Sequence, residues 1–164
     1  MVQLVTRRDG IEIIRRILRD VRVAMLTTEG LNGEMHSRPM ITQNMEFDGT
    51  VWFFARYDSS KVNEIKYQPR VNISYMGSSG YASLAGTAHI VDDTDRKREL
   101  WHDALRPWLP EGPESPDVVL ICIKADSGQY WESNHSGSLD KLMTVAKIFL
   151  LRDDTTVEAG TVQM

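Results

Sequence analysis

Ser59, Ser60 and Lys61 stand where a strand-like apolar run, Trp52-Phe53-Phe54-Ala55-Arg56-Tyr57, gives way to the helical pattern that starts Lys61-Val62-Asn63-Glu64-Ile65. Two hydroxyls and an ammonium at a helix start suit an oxyanion. The first backbone N–H groups there have no intrahelical acceptor, and the helix dipole adds partial positive charge. A second cation, Arg38, lies in Ser37-Arg38-Pro39-Met40 on an earlier strand and can close on the same anion. The chemistry suggested is the grip of a phosphate group. Each half also has a plainer explanation, an ordinary capped helix start with a solvated lysine and a surface ion pair for the arginine. A guanidinium turned inward from a strand, however, requires an anionic partner.

Pro39 cannot donate to a strand ladder, which places its strand at an edge or makes it irregular at that point. An edge exposes backbone. The N–H and C=O groups of Met40, Ile41, Thr42 and Gln43 can then pair with the polar rim of a planar heterocycle, while apolar side chains cover its faces. Trp52, Phe53, Phe54 and Tyr57 read first as core, divided between two faces by alternation. Trp131 is a core or interface aromatic, or a cofactor wall if its strand returns to the same cleft.

Other chemistries find less support. His36, His89, His102 and His135 are too scattered for a structural zinc site, and the acidic group Asp92-Asp93-Thr94-Asp95 lacks the glycine and glutamate of a calcium loop. There is no Gly-x-Ser-x-Gly elbow, Walker-type loop or dinucleotide glycine fingerprint. The single cysteine, Cys122, lies in the apolar run Val118-Val119-Leu120-Ile121-Cys122-Ile123 and reads as a buried, inert thiol. No intrachain disulfide is possible, so a reducing compartment is the natural setting.

The elements that must position these residues follow from periodicity and turn formers. Residues 9–20 carry apolar side chains at helical spacing with Asp9 placed as a cap, and residues 21–28 and 34–44 form a hairpin across Gly30, Asn32 and Gly33. A strand over 50–55, a helix over 60–67 ended by Pro69, and strands over 70–75 and 81–91 continue the meander. Gly86 in mid-strand marks a bulge, a bend or a close backbone approach. A helix over 96–105, a proline-rich connection, a strand pair over 117–125 and 129–133, and an amphipathic helix over 138–151 complete the pattern. Strands joined in sequence by turns suit an antiparallel β-barrel with flanking helices. We read residues 1–151 as a single domain and 152–164 as a fraying tail.

The chain of 164 residues has a formal net charge of −4, which argues against a nucleic-acid partner. Its start lacks the apolar centre of a signal peptide, and no run approaches the ~20 apolar residues of a membrane span. A soluble, cytoplasmic protein without a membrane partner is expected.

The order of these motifs resembles the FMN-binding split-barrel superfamily of pyridoxamine 5′-phosphate oxidase, most closely its general stress protein 26 branch. The match runs over about residues 9–150 and adds Pro69-Arg70-Val71-Asn72-Ile73-Ser74-Tyr75, Ser83-Leu84-Ala85-Gly86-Thr87-Ala88 and Tyr130-Trp131-Glu132 to the segments above. The resemblance implies a mainly β split barrel with flanking helices, forming a homodimer with FMN in clefts at the subunit interface. It assigns the phosphate to Arg38, Ser60 and Lys61, with Ser59 beside them among the cofactor-binding residues, the ring to Pro39, Met40, Ile41, Thr42, Gln43, Phe54 and Ala55, and the cleft rim or partner side to Tyr81 and Trp131. FAD, a deazaflavin and heme are the alternative ligands. No residue is assigned as a catalytic acid or base, and no metal is implied. Gln43 stands where a true pyridoxamine phosphate oxidase has a substrate lysine, and the arginine and histidine expected after Trp131 are absent. The expected activity is therefore flavin-dependent oxidoreduction of a small-molecule acceptor other than the vitamin. The alternative is a non-catalytic flavin-binding or flavin-sensing stress protein.

Overall fold

A computed structural model describes residues 7–133 and 157–164. Helix α1 (Arg7–Arg19) leads into β1 (Val23–Glu29) and β2 (Met35–Ile41), and β3 (Thr50–Arg56) runs into α2 (Ser60–Tyr67). Strands β4 (Arg70–Gly77) and β5 (Gly80–Val91) follow, then α3 (Thr94–Leu100), a 3-10 turn (Asp103–Leu105), β6 (Val118–Ser133) and β7 (Val157–Gln163). All pairs are antiparallel, in the order β2-β1-β4-β5-β6-β3, with β7 also on β6. The two ends of that order, β2 and β3, approach each other without pairing, so the barrel is split there.

The expected fold class is the one observed, with several local differences. Asp9 lies inside the first turn of α1 rather than capping it, since the helix already includes Arg7; its carboxylate still meets the positive end of the dipole. The helix expected over 96–105 is two pieces, because Trp101 adopts extended backbone angles (φ −66°, ψ 140°) after α3. Asp93 caps α3, accepting from the Arg96 N–H at 3.0 Å. The strand pair expected over 117–125 and 129–133 is the single strand β6. Part of the expected fraying tail, Val157–Gln163, is strand β7, held by the edge of β6 that β3 leaves free. The helix expected over 138–151 lies outside the described residues.

Strand β6 organises the sheet. One edge follows β5 throughout; the other takes β3 along Val118 to Lys124 and β7 along Ser127 to Ser133. The register with β5 steps between Ala85 and Gly86, opposite that changeover. At the same point the Ala125 N–H donates to the Gly49 carbonyl and the Met164 N–H to the Asp126 carbonyl, so the strand keeps its partners while it bends. Gly86 is required by close approach: a Cβ there would lie 2.3 Å from the Lys124 carbonyl oxygen.

The main core fills the barrel interior with Leu26, Phe53, Ile73, Leu84, Ile121 and Tyr130, covered by Ile14 and Ile17 of α1 and Val62 and Ile65 of α2. A second core outside the sheet joins Phe54, Val118 and Leu120 to Leu100, Leu105 and Leu109. Lys97, fully buried beside it, spends all three ammonium protons: on Asp92 Oδ1 (2.7 Å), the Ser115 carbonyl (3.1 Å) and the Val118 carbonyl (2.9 Å). This ties the proline-rich connection to β6.

Gly86→Ala should destabilise the protein by about 1–3 kcal/mol, since the added methyl meets backbone that other strands hold in place. Urea unfolding measures this. A stability equal to that of the unaltered chain would show that the strand can move away at no cost.

Candidate functional site

Arg38 sits opposite Leu26 on β1, and the same row crosses Ile73 and Leu84, so its side chain starts from the inner face of the barrel. At this end of the barrel α2 is the lid. Lys61 and Glu64 are three residues apart and share a face of α2, while Val62 and Ile65 enter the core. Glu64 is buried, and its carboxylate is the anion that Arg38 meets: Arg38 Nη2 donates to Glu64 Oε2 at 2.8 Å, and Nη1 donates to Thr28 Oγ1. Thr28 Oγ1 in turn donates to Glu64 Oε2 at 2.5 Å, and His36 Nδ1 lies 2.7 Å from Glu64 Oε1. Burial pushes the Glu64 carboxyl up, but the hydrogen bonds from Thr28 and His36, with the charge and hydrogen bond of Arg38, outweigh it and hold the carboxyl below the usual carboxylate range.

Lys61 has no ion-pair partner among the described residues. Burial pushes its ammonium pKa down, the nearby Arg38 charge pushes it further, and Glu64 only partly compensates. Two cations and one carboxylate thus converge where α2 begins. Ser59 is the N-cap of α2 by backbone (φ −74°, ψ 150°), yet its hydroxyl donates backwards to the Arg56 carbonyl at 2.7 Å instead of capping. Ser60, exposed, opens the helix. Arg38, Ser59, Ser60 and Lys61 are therefore gathered at one end of the barrel. This donor set suits a phosphate.

The residues expected around a ring divide by burial. Pro39 is exposed on β2, which is an edge strand as its proline required. The Met40 and Ala55 side chains are in the main core. Phe54 is in the second core, edge-to-face with Trp101 at 5.4 Å between centroids. Ile41 packs on that second core as well. Thr42 and Gln43 line a groove with Leu18, Phe47, Trp52 and Tyr75. Thr42 Oγ1 donates to the Val21 carbonyl at 2.6 Å; Gln43 Oε1 is buried without a hydrogen-bond partner among the described residues.

Tyr81 and Trp131 face each other across β5 and β6, on the sheet face opposite to Arg38. Alternation requires this, because Tyr81 is an odd number of residues from Leu84. Within one chain they do not join Arg38 and Lys61. Their outer face also carries Val23, Met25, Met35 and Met76, all exposed. Glu64 was not among the residues expected at the site. The signal for it is its spacing from Lys61, which puts a carboxylate on the helix face that carries the cation.

The split antiparallel barrel with two cations at the start of α2 has specific relationships. The chain belongs to the pyridoxamine 5′-phosphate oxidase-like family, whose model matches residues 9–154. It is similar to the general stress protein 26 structure from Jannaschia sp. CCS1 (25% identity, TM-score 0.72, covering 96% of this chain and 99% of that one). It is also similar to a general stress FMN/FAD binding protein from Xanthomonas citri (26% identity, TM-score 0.66, covering 80% and 94%). Protein bli-3 of Neurospora crassa is 31% identical over 117 residues, 65% of this chain; the chain spans 56% of that relative's length. Among the described residues no helix is long and apolar enough to cross a membrane.

The Glu64 carboxyl sets an acid limit on stability. Because its pKa is lowered in the folded state, its contribution is complete above the ordinary carboxylate value and is lost as pH falls through the folded one. Glu64→Gln should be less stable at neutral pH and converge with the unaltered chain in acid, as thermal unfolding against pH measures. Parallel curves for the two proteins would contradict this.

Proposed function

We propose that the protein binds FMN, with the phosphate held by Arg38, Ser59, Ser60 and Lys61 and the ring along Pro39 to Gln43. The observation that carries this reading is Lys61: a partly desolvated ammonium next to a second cation, with a carboxylate that satisfies Arg38 but leaves Lys61 unpaired. A phosphate supplies the missing charge and accepts from hydroxyls and helix N–H groups at once. The fit at the ring end is backbone on an open edge, with a buried acceptor at Gln43 still to be satisfied.

Bound FMN supplies the redox chemistry. The chain's residues bind, orient and exclude water. Gln43 adds no charge where the vitamin phosphate would need a cation, which favours a different small acceptor. It equally favours the second reading, a flavin binder or sensor without efficient turnover. Photoreduced protein mixed with candidate quinone or nitro acceptors separates the two: oxidation faster than in free flavin supports the enzyme. FAD, a deazaflavin and heme are distinguished from FMN by the absorption spectrum of the loaded protein.

The reading extends to a homodimer. The outer face carrying Val23, Met25, Met35 and Met76 is apolar and exposed, with Tyr81 and Trp131 on the same face, and a second copy would cover it. Sedimentation should give twice the chain mass; a monomer that binds FMN fully would remove the dimer from the reading.

Titration of the protein with FMN and with riboflavin tests the phosphate grip. FMN should bind more tightly, and Lys61→Ala should lower FMN affinity by roughly ten- to a hundredfold, the worth of one charge-assisted hydrogen bond, with riboflavin nearly unchanged. Equal losses for both ligands would place Lys61 elsewhere in the site or in the fold.

A further inference from the structure

Arg38, one of the two cations assigned to the ligand phosphate, already holds an anion. Glu64 Oε2 accepts from Arg38 Nη2 at 2.8 Å and from Thr28 Oγ1 at 2.5 Å, and Oε1 meets His36 Nδ1 at 2.7 Å. The carboxylate comes from the same face of α2 as Lys61, and it is buried, so solvent screens its pull on Arg38 little. A structural ion pair distant from the site would not matter to a ligand. This one shares its guanidinium with the site and its helix face with the second cation.

We propose that Glu64 determines specificity as a resident competitor for the phosphate. In the free protein its carboxylate occupies Arg38 and offsets the repulsion between Arg38 and Lys61. An incoming phosphate gains Arg38 only in exchange for part of that bond. A phosphate carried on a large molecule, anchored elsewhere by its ring, makes the exchange; a free inorganic anion, with no other contact to draw on, does not. The ligand class that this selects is a phosphate ester of a ring system, and the class that it rejects is small free anions. The inference rests on the phosphate reading above and adds a selection rule to it.

Glu64→Gln tests the rule because it removes the charge and keeps the shape. The amide oxygen can still accept from Arg38 and Thr28, and the amide NH2 can donate to His36 Nδ1 in the ring's other tautomer. The variant should bind FMN roughly tenfold more tightly, in line with one charge-assisted hydrogen bond no longer contested, with riboflavin affinity unchanged. Inorganic phosphate at millimolar concentration should compete with FMN on the variant but not on the unaltered chain. A fall in FMN affinity with riboflavin retained overturns the proposal, because Glu64 is then a support that holds Arg38 in place. If the variant does not fold, the unaltered chain decides alone: competition by inorganic phosphate against FMN overturns the proposal, and indifference to it upholds the rule. A chain that binds FMN no better than riboflavin removes the phosphate reading, and the inference with it, before any variant is made.

Discussion

Most of this structure depends on β6 having three neighbours. A strand in an open sheet has two edges and two partners, but β6 gives one edge to β5 and divides the other between β3 and β7. That division needs a bend, and the bend needs a place where two backbones come close without a side chain between them, which Gly86 provides. The consequences reach both ends of the barrel. The first half of β6 sets β3 and therefore the start of α2, where the cations gather; the second half sets Tyr130 and, through β7, Val162 against the face of α1. A small protein thus builds a core and a site from one continuous element.

At the end of the barrel where α2 begins, the governing quantity is the balance of buried charge. A guanidinium half out of water is stable only beside an anion, and a carboxylate as buried as Glu64 only beside donors. Thr28, His36 and Arg38 meet the second requirement together, and Glu64 meets the first for Arg38. Lys61 has neither a matching anion nor full solvent. The asymmetry between two neighbouring cations, one satisfied and one not, is what the proposed phosphate would resolve.

How much of this was legible in the sequence varies with the range of the interactions involved. Helix α2 has the bounds its local signals give, Ser59 before it and Pro69 after it, and β2 is the edge strand that Pro39 demands. The types and spacing of Arg38, Ser60 and Lys61 suggest an anion site, but they read equally as a capped helix start and an ion pair until the packing of α2 is known. Glu64 was hidden because a carboxylate three residues from a lysine on a short helix reads as a solvated ion pair; only the packing of α2 on β1 and β2 buries it. Phe54 reads as core from its alternation and as a ring neighbour only through the resemblance, and its side chain does lie in a core, the second one, where Trp101 from beyond α3 meets it. Strand β7 was illegible for the same reason: Gly160 and the polar residues around it carry little strand signal, and its partner is an edge created by a register step far along the chain. The fold class survives these misses because it rests on turns and alternation, which are local.

The gap between β2 and β3 gives the barrel a direction of compliance. Everywhere else along the order of strands, moving one strand from the next stretches a ladder of backbone hydrogen bonds; between β2 and β3 there is no ladder to stretch. The seam is therefore the one place along this order where two strands can part without breaking a ladder between them, as a slit tube opens at its slit. The groove lined by Gln43 and Trp52 takes its walls from the two sides of this seam, whereas the charge network at Glu64 is tied together from β1, β2 and α2. One strand, β2, thus leads both to a cross-tied polar network and to a slot that no backbone ladder holds shut.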